Sequence, residues 1–531
     1  MNMKMLHSLT PVLIFAAWQS PAFSQSCTGL CTQQQTCPSG GTTSVSGIVY
    51  APNGTTPLPN VAVYVPNGGA APSYGVQAFT AGVSCSQQTV LTGSPLTITW
   101  SAVDGTFTLN NVPVGSNIPL VIQAGKWRAK FSIPTVAACT TTALPASLTS
   151  LPSTHIGGDP ANNIPLVAVV TGMDSTLECL LKRAGIQQSE FTDPATQGGA
   201  GRIRFYIGEG YPGVNIDSAT PSATQLWSGA TPDINQYDFV IFGCQGSPFN
   251  KTAAQQAVVI NYANSGGRVI TEHASDVWLM NPTPNTTPNP FGNAPWTPGG
   301  AAPTKTQTAT IDYNTNPEGQ LMAQWLQKIS GGTVGQISLP YESNELTSSP
   351  AYSQMWLSLS NGTPMEFATA APVGPVTGTI TGCGRVQFNN YHVEPMSSLL
   401  ATMTSLPTKP YSTFPKECPT TPMTPVETYA LYSLFDMPTL YQQNVSFTSN
   451  APATAANGAS FTVAATVSIG VTFGVVPSVV FTSAGACTNS GATYTMTSGS
   501  GTCSVIANAP GDYFHLAAAP QVTQTVTATA Q

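Results

Sequence analysis

The chain has 531 residues, more than one ordinary core accommodates, so three or four domains are expected. Fifteen basic and 22 acidic residues give a net charge of −7, with only 7% of residues charged. No cluster of Lys and Arg is present, which excludes nucleic acid as a partner because phosphate binding needs one, and 41% hydrophobic content excludes a disordered chain.

The first 24 residues read as a signal peptide. Lys4 supplies a basic start, residues 6–18 are mostly apolar, and Ala22-Phe23-Ser24 places small residues at the cleavage position. No later stretch holds about 20 uninterrupted apolar residues, so no membrane span is expected after cleavage. The protein is therefore expected to be secreted or held at the cell surface. All 11 cysteines follow the cleavage position, where disulfides are the default. An odd count leaves one thiol unpaired or paired to another chain. Cys487–Cys503 is the expected bridge of the last module, and Cys383–Cys418 is a second expectation. Cys27, Cys31, Cys37 and Cys85 suit two bridges near the start; a zinc site from the first three is an alternative without a nearby histidine.

Residues 25–43 form a Cys-, Gln- and Thr-rich lead segment, read as a stapled cap or linker. Residues 44–140 read as a β-sandwich. Val45, Gly47 and Val49 alternate with their neighbours, as do Val61, Val63 and Val65, and Asp104-Gly105 marks a hairpin turn before Phe107 and Leu109. The wording "VSGIVYAPNGTTPLPNVAVYVP" followed by "DGTFTLNNVPVGSNIPLVI" resembles the carboxypeptidase regulatory-like domain, a transthyretin-like sandwich. That resemblance implies an accessory module without catalytic residues. Residues 141–163 read as a polar linker.

Residues 164–442 read as an α/β domain with a flavodoxin-like, mostly parallel sheet. Residues 166–170 form a continuous apolar run, as a strand covered on both faces should. Ser175 and Glu178 form a capping box for a helix carrying Leu177, Leu180, Leu181 and Ala184, closed by Gly185. Further strands are expected at 203–207, 237–244, 268–271 and 385–388. Helices are expected at 253–263, from Asn316-Pro317 onward, and from Thr424-Pro425-Val426-Glu427 onward. Residues 281–303, with seven prolines, read as a long loop, and residues 340–383 as an irregular inserted subdomain. Residues 443–531 alternate again at Phe461, Val463, Ala465, Val467 and Ile469. "APATAANGASFTVAATVS" and "AAAPQVTQTVTATA" resemble the Ig-like β-sandwich repeat of bacterial secreted proteins, which implies a bacterial source.

In an open α/β sheet, ligands bind beyond the carboxyl ends of the strands. The first strand delivers Asp174 there. The third delivers Cys244 and Gln245, the fourth Glu272, His273 and Asp276, and the late strand Tyr391, His392 and Glu394. Two of the five histidines fall on this rim. Cys244 as nucleophile, His273 as its base and Glu272 are the catalytic candidates. Asp174, Gln245, Asp276, His392 and Glu394 are the ligand-binding candidates. His273 and His392 with Glu272 or Asp276 would suit zinc or iron, but no H-E-x-x-H spacing is present, and neither metal nor cofactor is assigned. A Cys179–Cys244 disulfide is the alternative to a reactive thiol.

The run "YDFVIFGCQG", then "YANSGGRVITEH", then "GRVQFNNYH", resembles the class I glutamine-amidotransferase-like superfamily, especially its trehalose-utilisation-type branch. That family places its cysteine on the elbow after the strand that here ends in Glu272-His273. This chain has His273 there, with Cys244 one strand earlier, so the core reads as catalytically degenerate. The expected role is binding or structural, toward a glycan or cell-surface ligand. The alternative is an extracellular hydrolase using Cys244 with His273, or a metal, on a glycan or amide.

Overall fold

The computed structural model describes the chain except residues 1–26, 39, 81, 84–90, 280–305, 341–348, 351–352, 373–383, 394–408, 437–442, 470–477, 511–518 and 520. The signal peptide, the 281–303 loop, Cys85, Cys383 and Glu394 lie outside the described residues.

The first module is two facing sheets. Strands β1 (Ser44–Ile48), β2 (Ala62–Pro66), β3 (Pro95–Trp100), β4 (Thr106–Asn110), β5 (Gly115–Ala124), β6 (Trp127–Val136) and β7 (Thr141–Ala143) build it. They pair as β4-β1-β7 and β3-β2-β5-β6. Val45, Val63, Phe107, Leu109 and Ile122 fill the space between, as alternation predicts. The expected linker at 141–163 is instead part of this module. Its first residues are β7, parallel to β1, and Thr149 and Leu151 are buried. A polar, Thr-rich run can still complete a ladder, because the ladder uses backbone groups. The lead segment is stapled, by Cys27–Cys31 and by Cys37–Cys139.

The central sheet has ten strands. These are β8 (Val167–Thr171), β9 (Phe191–Thr192), β10 (Ile203–Ile207), β12 (Phe239–Phe242), β13 (Arg268–Glu272), β14 (Gln307–Ile311), β15 (Gln336–Leu339), β16 (Ser353–Leu359), β17 (Pro364–Ala371) and β18 (Gly384–Asn389). A separate short pair joins β11 (Val214–Asn215) to β19 (Ser412–Thr413). The order is β15-β14-β16-β17-β18-β13-β12-β8-β10-β9. From β9 to β18 every pairing is parallel; from β18 to β15 every pairing is antiparallel. The irregular subdomain expected at 340–383 is therefore corrected where it is described. Its strands β16 and β17 extend the sheet, and β14 and β15 were not foreseen. Met365, Phe367 and Ala368 sit among buried neighbours on both sides, so no clean alternation marks the strand.

Two-sided burial explains the parallel half. Along β8, Val167 and Val169 face one apolar cluster, and Ala168 and Val170 the other. Helices α1 (Leu177–Arg183), α3 (Pro317–Ser330) and α4 (Pro425–Asp436) contribute Leu180, Trp325 and Tyr429 to the first face. Helix α2 (Ala253–Asn264) contributes Val259 and Tyr262 to the second. Thr424 and Glu427 exchange hydrogen bonds at the start of α4, the capping expected there. The capping box expected of Ser175 and Glu178 is absent. Helix α1 starts with Thr176 at its N-cap and no side-chain cap bond. Ser175 is buried against the sheet end instead.

The sandwich docks on the first face, and its core is continuous with that of α1, α3 and α4. Trp325 Nε1 donates to the Pro57 carbonyl at 2.7 Å, and Asn53 N–H to the Ala184 carbonyl at 2.8 Å. Lys126 pairs with Asp238 at 2.5 Å, both buried. The last module carries its own cores and the expected Cys487–Cys503 bridge. The expectation for Cys418 is corrected: it joins Cys179, which rules out both Cys383–Cys418 and Cys179–Cys244. Disulfides of this kind belong to oxidising compartments outside the cytoplasm. Among the described residues no helix is long and apolar enough to cross a membrane.

Gly185 closes α1 at φ +102°, and a Cβ there would lie 2.1 Å from Asn53 N, at the docking seam. Gly198 has a similar φ of +85° but open space around it. Gly185→Ala should therefore cost at least about 2 kcal/mol in urea unfolding, and Gly198→Ala only about 1. Equal losses would show that the seam does not constrain position 185.

Candidate functional site

The parallel strands run β10-β8-β12-β13-β18, so the chain's direction of progress reverses between β8 and β12. Crevices at such a reversal are where open sheets bind ligands. Gly172 and Asp174 follow β8 and Cys244 follows β12, which places them at that crevice. A Cβ on Gly172 would lie 2.0 Å from the Cys244 carbonyl oxygen. Glycine is thus required for the two strand ends to close, and Asp174 N–H then donates to that carbonyl at 3.2 Å.

His273 follows β13 with φ +44°, a left-handed conformation that a non-glycine residue rarely adopts. This is the elbow at which the amidotransferase-like pattern would place cysteine. Its Nδ1 lies 3.3 Å from Cys244 Sγ, and Gly246 N–H also reaches that sulfur at 3.3 Å. His392 follows β18. Its ring meets His273 edge-on, 4.7 Å between centroids, and its Nε2 lies 4.0 Å from Asp174 Oδ2. Donor atoms of Asp174, Cys244, His273 and His392 all fall within 4.8 Å of one another. Four segments, each following a different strand, supply this one cluster.

The other candidates sit differently. Glu272 is fully buried and accepts from Val393 N–H at 3.0 Å, anchoring the residue after His392. Gln245 is buried, and its Oε1 accepts from Gly210 N–H at 2.7 Å, tying two rim loops together. Asp276 is fully buried in the turn after β13. Asp174, rather than Glu272 or Asp276, is the carboxylate that joins the two histidines. The sequence places Gly172, Gly246 and the Ser175 helix start at these strand ends, but it assigns none of them a role in the site. The Gly-bearing turns after the two strands were the available signal.

Burial sets the electrostatics. It pushes the Cys244 thiol up, against the pull of His273. It raises the Asp174 carboxyl, again against His273. It drives His392 down to about 3, helped by His273. It raises Glu272 to about 7, although the Ser175 hydroxyl and the amides of Val393 and Cys244 pull the other way. A catalytic cysteine needs its pKa lowered and its sulfur reachable. Cys244 is fully buried, is the free cysteine among the described residues, and is held as the thiol.

No protein-family model matches the chain, and no curated protein matches it. Among solved structures, a cytoplasmic protein from Salmonella typhimurium is 10% identical at TM-score 0.24, covering 44% of this chain and 89% of its own. A ThuA-like protein from Bacteroides uniformis is 15% identical at TM-score 0.22, covering 44% and 86%. An exo-β-1,4-mannosidase from Opitutaceae bacterium strain TAV5 is 12% identical at TM-score 0.21. That match covers 45% of this chain and 32% of the mannosidase.

The shifts make a pH prediction. Glu272, raised from 4.5 to about 7, favours the fold fully below pH 4.5 and loses that contribution as pH rises through 7. His392, lowered from 6.5 to about 3, does the reverse and loses its contribution as pH falls below 6.5. Glu272→Gln keeps the shape of the neutral acid and removes the first effect. Its stability relative to wild type should rise between pH 4.5 and 7 by on the order of 3 kcal/mol. Parallel wild-type and variant curves would show that Glu272 titrates normally. Native protein should also resist thiol reagents at Cys244, with prompt reaction only after unfolding. Rapid native labelling would contradict a buried thiol.

Proposed function

We propose that this is an exported protein that acts by binding a small polar ligand, of which a glycan is the expected class, at the rim of its α/β sheet. The observation that carries this reading is the convergence of Asp174, Cys244, His273 and His392 within 4.8 Å at the strand-order reversal. The β modules then serve as support and contact surfaces. In this reading they are a carboxypeptidase regulatory-like sandwich and an Ig-like tail around a flavodoxin-like, amidotransferase-like core.

One observation favours a hydrolase: the 3.3 Å contact between Cys244 Sγ and His273 Nδ1, the spacing of a nucleophile and its base. The buried sulfur and its raised pKa weigh against that use.

The test takes the full exported chain. Oligosaccharides are titrated by calorimetry against wild type and His392→Ala, with circular dichroism confirming the fold. At least a tenfold loss of affinity in the variant is expected. Undiminished binding would move the ligand site away from the rim. Glycan or amide hydrolysis abolished by Cys244→Ser, yet indifferent to chelators, would replace the binding reading with the cysteine hydrolase.

A further inference from the structure

We infer that Asp174, Cys244, His273 and His392 bind one divalent transition metal of the zinc class. The inference rests on reading the rim as the binding site and names that site's primary ligand.

Geometry is the first argument. Zinc bonds of roughly 2.0–2.3 Å to O, N and S place tetrahedral ligand atoms about 3.3–3.7 Å apart. Cys244 Sγ and His273 Nδ1 are already 3.3 Å apart, and His392 Nε2 and Asp174 Oδ2 are 4.0 Å apart. The widest separation, up to 4.8 Å, needs closure of about 1 Å. Side chains near the mouth of a crevice can supply that, and three of the four ligands are partly exposed.

Donor chemistry is the second. One thiolate, two imidazoles and one carboxylate form a borderline-soft set. Calcium and magnesium take oxygen ligands and are disfavoured. A dication with one thiolate and one carboxylate makes a neutral complex, the form a buried site tolerates best.

The third is independent of the cluster's composition. His392 Nε2 is buried without a hydrogen-bond partner, a condition that costs free energy unless something supplies the missing interaction. A metal bond at Nε2 would. The left-handed backbone at His273 is a second cost at the same place, of the kind found where a side chain must be aimed.

Outer contacts suit the role. Gly246 N–H points at the sulfur, as it would at a thiolate, and Glu272 fixes the backbone beside His392. A second Cys-and-carboxylate cluster among the described residues, Cys179, Glu417 and Cys418, contrasts with this one. Its two sulfurs are already bonded to each other and have no thiolate to offer.

Binding would proceed with loss of the Cys244 proton to solvent and formation of a sulfur–metal bond, with no change of oxidation state.

The experiment uses the full exported chain, stripped with a chelator and dialysed. Zinc titration by calorimetry should give one site per chain. The heat should vary with the buffer's ionisation enthalpy, reporting the released proton. Cobalt(II) should give a thiolate charge-transfer band with tetrahedral ligand-field bands. Cys244→Ser should remove the charge-transfer band. His273→Ala and His392→Ala should each weaken zinc binding by more than the roughly 10–100-fold cost of losing an outer-shell contact. Should the variants misfold, the wild-type cobalt spectrum decides alone: absence of a thiolate band overturns the proposal. So does zinc binding unchanged in Cys244→Ser. No bound metal, with oligosaccharide binding intact in chelator and still sensitive to His392→Ala, overturns the metal and leaves the rim reading standing. Loss of both overturns both.

Discussion

The rim depends on one close approach. The backbone after β8 lies against the Cys244 carbonyl, at a distance only a residue without a Cβ permits, and Gly172 is that residue. Once the strand ends close, Asp174 N–H reaches the same carbonyl and its side chain is carried to the mouth of the crevice. His273 and His392 arrive from the next two strands in register, because β13 pairs with both β12 and β18 in parallel. The cluster is thus a consequence of sheet order. Residues more than 200 positions apart meet because their strands are near neighbours in the sheet.

That sheet needs both faces covered, and the chain covers them by different means. Helix α2 and the aromatic side chains of Trp227 and Trp278 cover one face. On the other, α1, α3 and α4 are themselves roofed by the first sandwich. Lys126, the Trp325–Pro57 hydrogen bond and the Trp127–Phe435 ring contact hold it there. The sandwich is therefore part of the core of the α/β domain as well as a module of its own. An accessory domain tethered by a linker would leave Leu180, Tyr429 and Trp325 short of partners.

This explains what could be read from the sequence. Five of the six parallel strands were legible, helped by burial on both faces that leaves apolar runs such as Val167 to Val170, while the two-residue β9 was not foreseen. Helix α3 was legible from its start signal, Asn316-Pro317, which caps and opens it. The site candidates followed from the rule that strand ends deliver them, and Asp174, Cys244, His273 and His392 were all on that list. Three things were hidden. The antiparallel half, β14 to β17, was one: β14 and β15 bury only alternate residues such as Ile311 and Leu339 among Gln, Thr and Ser, while β17 is buried along its whole length, so no single period runs through it. The pairing of Cys179 with Cys418 spans 239 residues and is set by where α1 lies against the segment before α4, which no local spacing encodes. The choice of Asp174 over Glu272 or Asp276 was hidden for the same reason. Asp174 and Asp276 follow strands and Glu272 ends one, and only the depth of burial and the Gly172 contact separate them.

The scarcity of charge gives the site its character. At one end of the sheet a buried charge has its partner built in. Lys126 meets Asp238, which also accepts from Leu166 N–H at 2.7 Å, at the amino ends of β8 and β12. At the carboxyl end of β8, Asp174 faces His392 at 4.0 Å rather than a Lys or Arg. Burial without a built-in counter-charge holds titratable groups in their neutral forms, and that is the direction taken by Asp174, Cys244, Glu272 and His392. The two ends of one sheet thus differ in kind. One is a closed electrostatic anchor between modules. The other gathers donors whose shifts all favour the uncharged form, and a dication would supply the opposite charge that a thiolate and a carboxylate there lack.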